Sequence, residues 1–545
     1  MKQITFTSAI VLLLLANGVL GQTILNIQGD TSFPSIVCDS TNTVQFHIDT
    51  LVNNHHRRGY LLASCDSLTF ESDTAFAYFN RRQRFNIVEL KTVAGRKHTT
   101  EKITSNRPDI FFDKTGKKTL LPFENKGYPF AQVAYTVVAD GNDQLRIHAS
   151  VNAGTYFAYD SLIVKSEIRQ STAYFEQYLN IRKGQPYSEK DFRNISKRIK
   201  ELDFVELIRP SEALFHSKGA DISVYLKSKR ANRFDGIVGF QPDANTGKIV
   251  LTGNVNLGLQ NVLKRGEQFN LEWKRLQFQT QDLKISAAYP YILSTRIGLW
   301  GDVQLYRRDT TFTTNKIELS AGLVIGQGKY LRAFTEWYAT NPLRENLINI
   351  DNINVRRYGV AARSYNTDYT PNPMRGYLIE GQASAGIKTT FNQENIDQKS
   401  SQYAGTGTIR GWIPIINRLS AVFSGTAGTK IDSSLLVNEQ YRIGGLHTLR
   451  GFNEESIFAS TYAIFTTELK FQLDKSSAVF LFYDQAWYER NDNVYFSDTP
   501  FGFGAGALLG TANGSFSIFY ALGSEQNNPI LLRNGKIHFG FINRF

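Results

Sequence analysis

From Phe234 to Phe545 the chain is a run of segments, each about ten residues long, in which apolar and polar side chains alternate, the period of an extended strand. Phe465, Thr467, Leu469, Phe471 and Leu473 fall on one face of such a segment, and Thr466, Glu468, Lys470 and Gln472 on the other. Phe516, Ile518, Tyr520 and Leu522 line one face of a later segment, and Ile537, Phe539, Phe541 and Phe545 share a face of the last. No stretch reaches the roughly 18 continuous apolar residues that a membrane helix needs. Two architectures remain: a large soluble all-β protein, or a membrane barrel whose strands face lipid and lumen in turn and whose closure satisfies every backbone group. Composition favours the barrel, because Gly (42), Phe (38) and Tyr (26) are abundant while Met (2) and Trp (5) are scarce.

Candidate strands begin near 233, 247, 266, 280, 295, 315, 330, 353, 376, 402, 418, 461, 477, 499, 513 and 534, sixteen in all. The expected fold is therefore an all-β, sixteen-stranded antiparallel membrane barrel over residues 232–545. An even count returns the C-terminus to the side where the barrel began. That side is read as periplasmic, which places the long connection at about 430–459 on the outer side.

The N-terminus reads as an export signal. Lys2 is followed by the apolar run Ala9–Ala16, and Val19 and Gly21 supply the small residues of a cleavage site before Gln22. Residues 1–21 are thus expected to be removed. No cysteine stands at the cleavage point to take a lipid. The net charge of +12 comes from scattered Lys and Arg. In an exported chain its counter-charge is anionic lipid rather than nucleic acid. Cys38 and Cys65 are the two cysteines, and an oxidising compartment is compatible with a disulfide between them or with two buried thiols.

Residues 22–231 mix helical and strand periods. Phe157–Val164 reads as a strand and Ser171–Leu179 as a helix with Ser171 as N-cap. A second helix opens at Tyr187 and carries Phe192, Ile195, Ile199 and Leu202 on one face. Strands follow at Phe204–Arg209 and Asp221–Leu226. Upstream, helical Phe46–Asn53 and Leu120–Lys126 each precede a Gly-Tyr pair and two strands. A recurrence of this kind predicts three small α+β domains, at 22–84, 85–156 and 157–231. His55-His56 reads as a solvated helix end rather than a metal site.

The connection between strands eleven and twelve holds Tyr441-Arg-Ile-Gly444-Gly445-Leu-His-Thr-Leu449-Arg450-Gly451-Phe452. A cation set between apolar residues, after two glycines, describes a loop that folds back into the lumen. There Arg450 needs carboxylates, because an unpaired buried charge is costly. Glu468 and Asp484 occupy lumen-facing positions of the next two strands, and an Arg fork on them would fix the loop.

These residues resemble the BamA/TamA family of outer-membrane assembly barrels. Leu449–Phe452 matches the family's V-R-G-F/Y motif in the sixth outer loop, with Leu for Val. Glu468 matches a Glu on the following strand. Phe482-Tyr-Asp484-Gln-Ala486 matches F-x-D-x-G, with Ala for the last Gly. Tyr289-Pro290-Tyr291 and Pro373-Met-Arg375-Gly376 look like its strand edges, and the aromatic C-terminal strand (Ile537, Phe539, Phe541, Phe545) its assembly signal. The N-terminal units resemble POTRA domains, three here where the principal assembly barrel usually has five, which points to a short paralogue. The resemblance implies a bacterial outer-membrane protein with its N-terminal domains in the periplasm. It also implies partners: unfolded outer-membrane or secreted client proteins, the lipid bilayer, and periplasmic or lipoprotein subunits on the POTRA domains. Clients would add as strands to exposed sheet edges and template at a seam between Phe234–Phe240 and Lys536–Phe545. No cofactor is implied.

No G-x-S-x-G elbow, H-E-x-x-H or P-loop occurs, so an enzyme is not expected. Alternatives remain open: a secretion pore for one dedicated partner, a porin- or receptor-like transport barrel, and a role for Arg450, Glu468 and Asp484 in stability alone.

Overall fold

The computed structural model describes residues 23–544 except 30–33, 40, 85–86, 95–96, 105–107, 141–143, 168–169, 243–248, 278–279, 327, 345–346, 348, 369–371, 392–396, 434, 492–494, 512–513 and 527. The expected signal peptide and Phe545 lie outside the described residues. The chain forms two compact units. One comprises residues 1–161, 182–194 and 213–222; the other comprises 162–181, 195–212 and 223–545.

The first unit contains two sheets of the same plan. Strands Thr23–Gly29, Ile36–Cys38, Ser64–Glu71 and Thr74–Asn80 enclose helix α1 (Thr41–Arg57), with the first strand parallel to the last. Strands Ile87–Ala94, Lys97–Thr104, Gln132–Asp140 and Gln144–Asn152 enclose α2 (Pro108–Glu124) in the same order. Each therefore has strand–strand–helix–strand–strand order, where the sequence pointed to a repeat of the two-helix plan. A third sheet, Tyr159–Ser166, Val205–His216 and Gly219–Ser228, carries two helices, α3 (Thr172–Leu179) and α4 (Glu189–Lys200), and its strands pass through both units. Ser171 caps α3 by accepting from the backbone N–H of Tyr174 at 3.3 Å, and α4 turns Ile195 and Ile199 into the interior.

One smaller expectation changes, and one alternative left open is decided. His55 is 8% exposed, not solvated. It lies on the stripe of α1 that carries Val44 and Ile48 into the first core, 4.6 Å from the Phe79 ring. The carbonyls of His55 and His56 are capped by backbone N–H groups, with Gly59 at φ 95°. Cys38 and Cys65 are free. They sit on opposite edge strands of a four-stranded sheet. Three strand spacings separate those edges, about 14 Å, far beyond the ~7 Å Cα limit of a disulfide. Burial pushes both thiols above their usual range, Cys38 also beside Asp39, so neither is primed as a nucleophile.

The second unit is dominated by a closed antiparallel barrel. Its first eight strands are β1 (Arg233–Pro242), β2 (Ile249–Gln260), β3 (Gln268–Gln277), β4 (Thr280–Tyr289), β5 (Ile297–Arg308), β6 (Phe312–Gly326), β7 (Lys329–Pro342) and β8 (Asn352–Thr367). The next five are β9 (Gly376–Phe391), β10 (Asp397–Ile416), β11 (Leu419–Ile431), β12 (Thr461–Gln472) and β13 (Ala478–Asn491). The last three are β14, β15 (Gly514–Ser524) and β16 (Lys536–Arg544). β14 is one strand in two pieces, Tyr495–Asp498 and Phe501–Thr511, both paired with β13. Pro500 has no N–H for the ladder, and the gap is bridged by Gln485, whose Nε2 donates to the Thr499 and Pro500 carbonyls.

Side-chain polarity in the barrel is the reverse of a soluble protein's. On β6, Leu319 is 52% exposed on the outer face while its neighbour Glu318 is 4% exposed inside. On β12 and β13, Phe465, Leu469, Leu481 and Trp487 face out while Asp484 and Lys470 are buried within. Only lipid makes that arrangement favourable, and the closed hydrogen-bond ladder supplies the backbone partners that lipid cannot. The chain is a transmembrane β-barrel.

At the rim where β1 begins, α3 packs on two turns. Asn261 Nδ2 donates to Gln170 Oε1 at 3.0 Å, and Tyr174 stands edge-on to Tyr291 at 5.6 Å. On the same rim Lys470 donates to the Pro373 carbonyl at 2.9 Å. Tyr291 and Pro373 belong to the two strand-edge motifs. Even strand number puts residues 233 and 544 side by side on this rim, so the loop joining β11 to β12 opens from the far one.

Candidate functional site

The loop of residues 432–460 does not project outward. It enters the barrel, makes a two-stranded ribbon (Tyr441–Ile443 with Ile457–Ala459), and lays Leu449–Phe452 against β12 and β13. Leu449 and Phe452 join Ile443, Ile457 and Ala459 of the loop, and Ile464, Ala486 and Tyr488 of the wall, in one buried cluster. Burying that apolar area in an otherwise polar lumen draws the loop inward.

Arg450 lies at the end of this cluster. Its Nη2 donates to Asp484 Oδ1 at 2.6 Å and its Nε to Asp484 Oδ2 at 2.8 Å, a two-point fork. Its Nη1 donates to Glu468 Oε1 at 2.7 Å, and its backbone N–H to Asp484 Oδ2 at 3.2 Å. Thr466 Oγ1 gives Asp484 a further bond at 2.9 Å. The guanidinium carbon lies 3.7 Å above the Phe482 ring. Asp484 is 0% exposed. A carboxylate so deeply buried is tolerable only with this many donors, and the arginine satisfies most of them.

The backbone closes as tightly as the side chains. Gly451 has φ 95°, and a Cβ there would lie 2.6 Å from the Leu522 carbonyl on β15. A Cβ on Gly502 of β14 would lie 2.0 Å from the Arg450 carbonyl. The glycines on both sides therefore let loop and wall meet backbone to backbone. Ala486 fits where the family motif has Gly because its methyl group fills the cluster beneath the loop.

The structure thus brings Leu449, Arg450, Gly451, Phe452, Glu468 and Asp484 together. The C-terminal residues lie elsewhere: Ile537, Phe539 and Phe541 are on β16, opposite Tyr520, Ile518 and Phe516 of β15. Ile537 is exposed on the outer face. The side chains of Phe539 and Phe541, like Phe545, lie outside what is described. Among the described residues, β16 joins β1 through two residue pairs, Arg233 with Arg544 and Phe234 with Asn543.

Sequence reasoning missed a second polar group around the loop, formed by Lys388, Gln402, Asp432 and Glu439. These are ordinary polar residues in a polar lumen, and the pairing of Lys388 with Glu439 spans 51 positions. No local pattern marks it. It also missed Asp160, His216 and Asp221 on the third sheet, whose donor atoms lie within 4.8 Å of one another. There the N–H of Lys218 donates to His216 Nδ1, which leaves the proton on Nε2, facing Asp221 at 3.1 Å. Lys183 pairs with Asp160 at 3.0 Å, so the group is a hydrogen-bonded charge cluster.

A closed sixteen-strand barrel with an apolar outer face defines a class of transmembrane barrel, and solved structures share that fold. CdiB from Acinetobacter baumannii is similar with a TM-score of 0.53 and 12% identity, over 85% of this chain and 90% of its own. CdiB from Escherichia coli is similar with a TM-score of 0.51 and 12% identity, over 92% of this chain and 98% of its own. A structure of BamA from Haemophilus ducreyi lacking POTRA domains 1–3 is 14% identical over 80% of this chain and 94% of its own, with a TM-score of 0.46. No protein-family model and no curated protein matches the chain. The two CdiB structures show the fold that the chain has.

Proposed function

We propose that the chain is a BamA/TamA-type barrel of a bacterial outer membrane that assembles, inserts or translocates other proteins. In this reading residues 22–84, 85–156 and 157–231 are POTRA-like periplasmic domains. Their sheet edges take up unfolded outer-membrane or secreted clients as added strands, and such backbone pairing tolerates many sequences. The observation that carries the reading is the loop clamped inside the lumen by Arg450 on Glu468 and Asp484. An open diffusion pore gains nothing from filling its own lumen, whereas an assembly barrel needs a closed lumen while its wall opens.

The seam supports the same reading. Among the described residues two pairs join β1 to β16, against ten between β1 and β2. Unpaired strand edges are costly in lipid and ready to pair with an incoming strand. Client folding in the bilayer supplies the free energy. No cofactor enters, and the protein acts as a template rather than as an enzyme.

The test is client folding in proteoliposomes, following a urea-unfolded outer-membrane barrel beside empty liposomes and the Arg450→Ala variant. Faster folding that depends on Arg450 is the expected result. No acceleration, together with a steady open conductance, would replace this reading with a transport pore.

A further inference from the structure

The loop meets the barrel a second time, on a wall that the Arg450 fork does not touch. A single helical turn, Val437–Glu439, lies against β7, β9 and β10 with Asn438 and Glu439 at 0% and 1% exposure. Glu439 Oε1 accepts from Lys388 Nζ at 2.7 Å and from the Leu436 backbone N–H at 2.7 Å. Its Oε2 accepts from Gln402 Nε2 at 2.7 Å. Lys388, itself fully buried, also pairs with Asp432 at 3.3 Å. Asn438 donates to Thr340 Oγ1 at 3.3 Å, and its carbonyl accepts from the Tyr338 hydroxyl at 3.0 Å.

Behind this contact the wall is braced by charge. Gln402 Oε1 accepts from Arg357 at 2.9 Å, Arg357 Nε donates to Glu336 at 2.9 Å, and Lys316 pairs with Glu336 at 2.6 Å. Gln402 is thereby oriented with its amide N–H groups toward the loop. Asp432 and Glu439, which pair with Lys388, both come from residues 432–439. With the loop withdrawn, Lys388 would lose these two carboxylates and face lumen water. With the loop seated it is dry, and the pairing is what keeps a buried ammonium tolerable. The interaction is therefore conditional on the loop's position, as a tether must be, and is not a support for the barrel itself.

We propose that Glu439 is a second tether of the loop, independent of the Arg450 fork. Seated between Lys388 and Gln402, it makes the loop a strap pinned at both ends across the lumen, and the strap stays inside when either pin is lost. Glu439 and Lys388 are positioning residues for the plug. The inference rests on the plug alone, so it stands or falls separately from client assembly.

The experiment uses the full-length protein in planar bilayers, with trypsin accessibility of the loop as a second readout and heat-modifiable gel mobility as the check on folding. Arg450→Ala and Glu439→Lys, which sets two ammonium groups against each other, are each expected to change mean conductance less than about threefold. The double variant is expected to raise it about tenfold or more and to expose the loop to trypsin, since removing both of two parallel restraints is more than additive. Adding Lys388→Glu to the double variant restores the pair and is expected to bring conductance back to within about threefold of the parent. A double variant no more open than Arg450→Ala would overturn the proposal, as would full opening by Glu439→Lys alone. Glu439→Gln carries the same test at smaller amplitude if the lysine variant does not assemble. Conductance needs no client: a loss of client folding with these effects intact counts against the assembly reading only, and the converse against the tether only.

Discussion

The barrel is joined to itself in two different ways. In its middle, β9 and β10 share an unbroken register from Gly376 with Trp412 to Phe391 with Asp397, sixteen residue pairs. Lys316, Glu336, Arg357 and Gln402 brace the inner wall across β6, β7, β8 and β10. At the seam, β1 and β16 share two pairs among the described residues. At about 0.5–1.5 kcal/mol net per hydrogen bond, parting the seam costs on the order of one to a few kcal/mol, and parting the middle many times that. The loop's two carboxylate-clamped contacts fall away from the seam, on β7, β9 and β10 and on β12 and β13. A barrel built this way can change at one joint while the wall that holds its plug stays fixed.

The most severe way to break that contrast is to attack the fixed wall. Asp484→Ala leaves Arg450 buried with Glu468 as its one acidic partner. Losing one member of a buried pair costs about 3–5 kcal/mol, enough to free the Arg450 side of the loop from β12 and β13 while Glu439 keeps the loop in the lumen. Client folding in proteoliposomes is expected to fall to the rate of empty liposomes, with mean conductance changed less than about threefold. Client folding at the parent rate would reduce Arg450, Glu468 and Asp484 to a stability lock.

Next in size is the seam. Phe234 and Asn543 are direct partners, and antiparallel partners have Cα atoms about 4.5–5.5 Å apart, within disulfide reach. In a background with Cys38→Ala and Cys65→Ser, Phe234→Cys with Asn543→Cys is expected to crosslink on oxidation. Client folding should then slow by about tenfold or more, if the seam must open by more than its ~1.4 kcal/mol equivalent, and recover on reduction. Undiminished client folding in the oxidised protein would remove the seam from the mechanism.

The two sides of the contrast were not equally legible in the sequence. Strand positions were readable because lipid and lumen impose a period of two on every stave: the strand read near 295 begins at Ile297, and the one near 461 at Thr461. The break in β14 was not, since Tyr495–Asp498 is too short to show a period. Arg450 with Glu468 and Asp484 was readable because a cation between apolar residues restricts its partners to acids on inward positions of the adjoining strands. The Lys388–Glu439 contact gave no such restriction. In the N-terminal sheets, Ile36–Cys38 and Lys97–Thr104 are strands where repetition of the third unit's two-helix plan would put a helix, because three apolar residues or a basic run carry too little periodicity to read.

A milder test of the fixed wall changes its backbone contact. Gly451→Ala places a Cβ 2.6 Å from the Leu522 carbonyl and forces a non-glycine residue to φ 95°. A cost of about 1–3 kcal/mol is expected. Tryptic cleavage of the loop should quicken by about tenfold, with the Arg450 fork still able to form in most molecules. An unchanged cleavage rate would mean that loop and wall have room the structure does not give them.

The smallest effect concerns Ala486, where the family motif has glycine. Ala486 is 1% exposed and its methyl packs between Leu449 and Ile443 of the loop and Ile464 and Tyr488 of the wall. Ala486→Gly removes that methyl and adds backbone freedom in a strand, together about 1 kcal/mol. The loop's tryptic half-life should shorten by less than about fivefold, and client folding should keep its wild-type rate. If the change instead loosened the loop as much as Gly451→Ala, the apolar cluster rather than the arginine fork would be the main hold on that side. The contrast between wall and seam would then rest on packing, with the buried charges fixing the loop's register more than its stability.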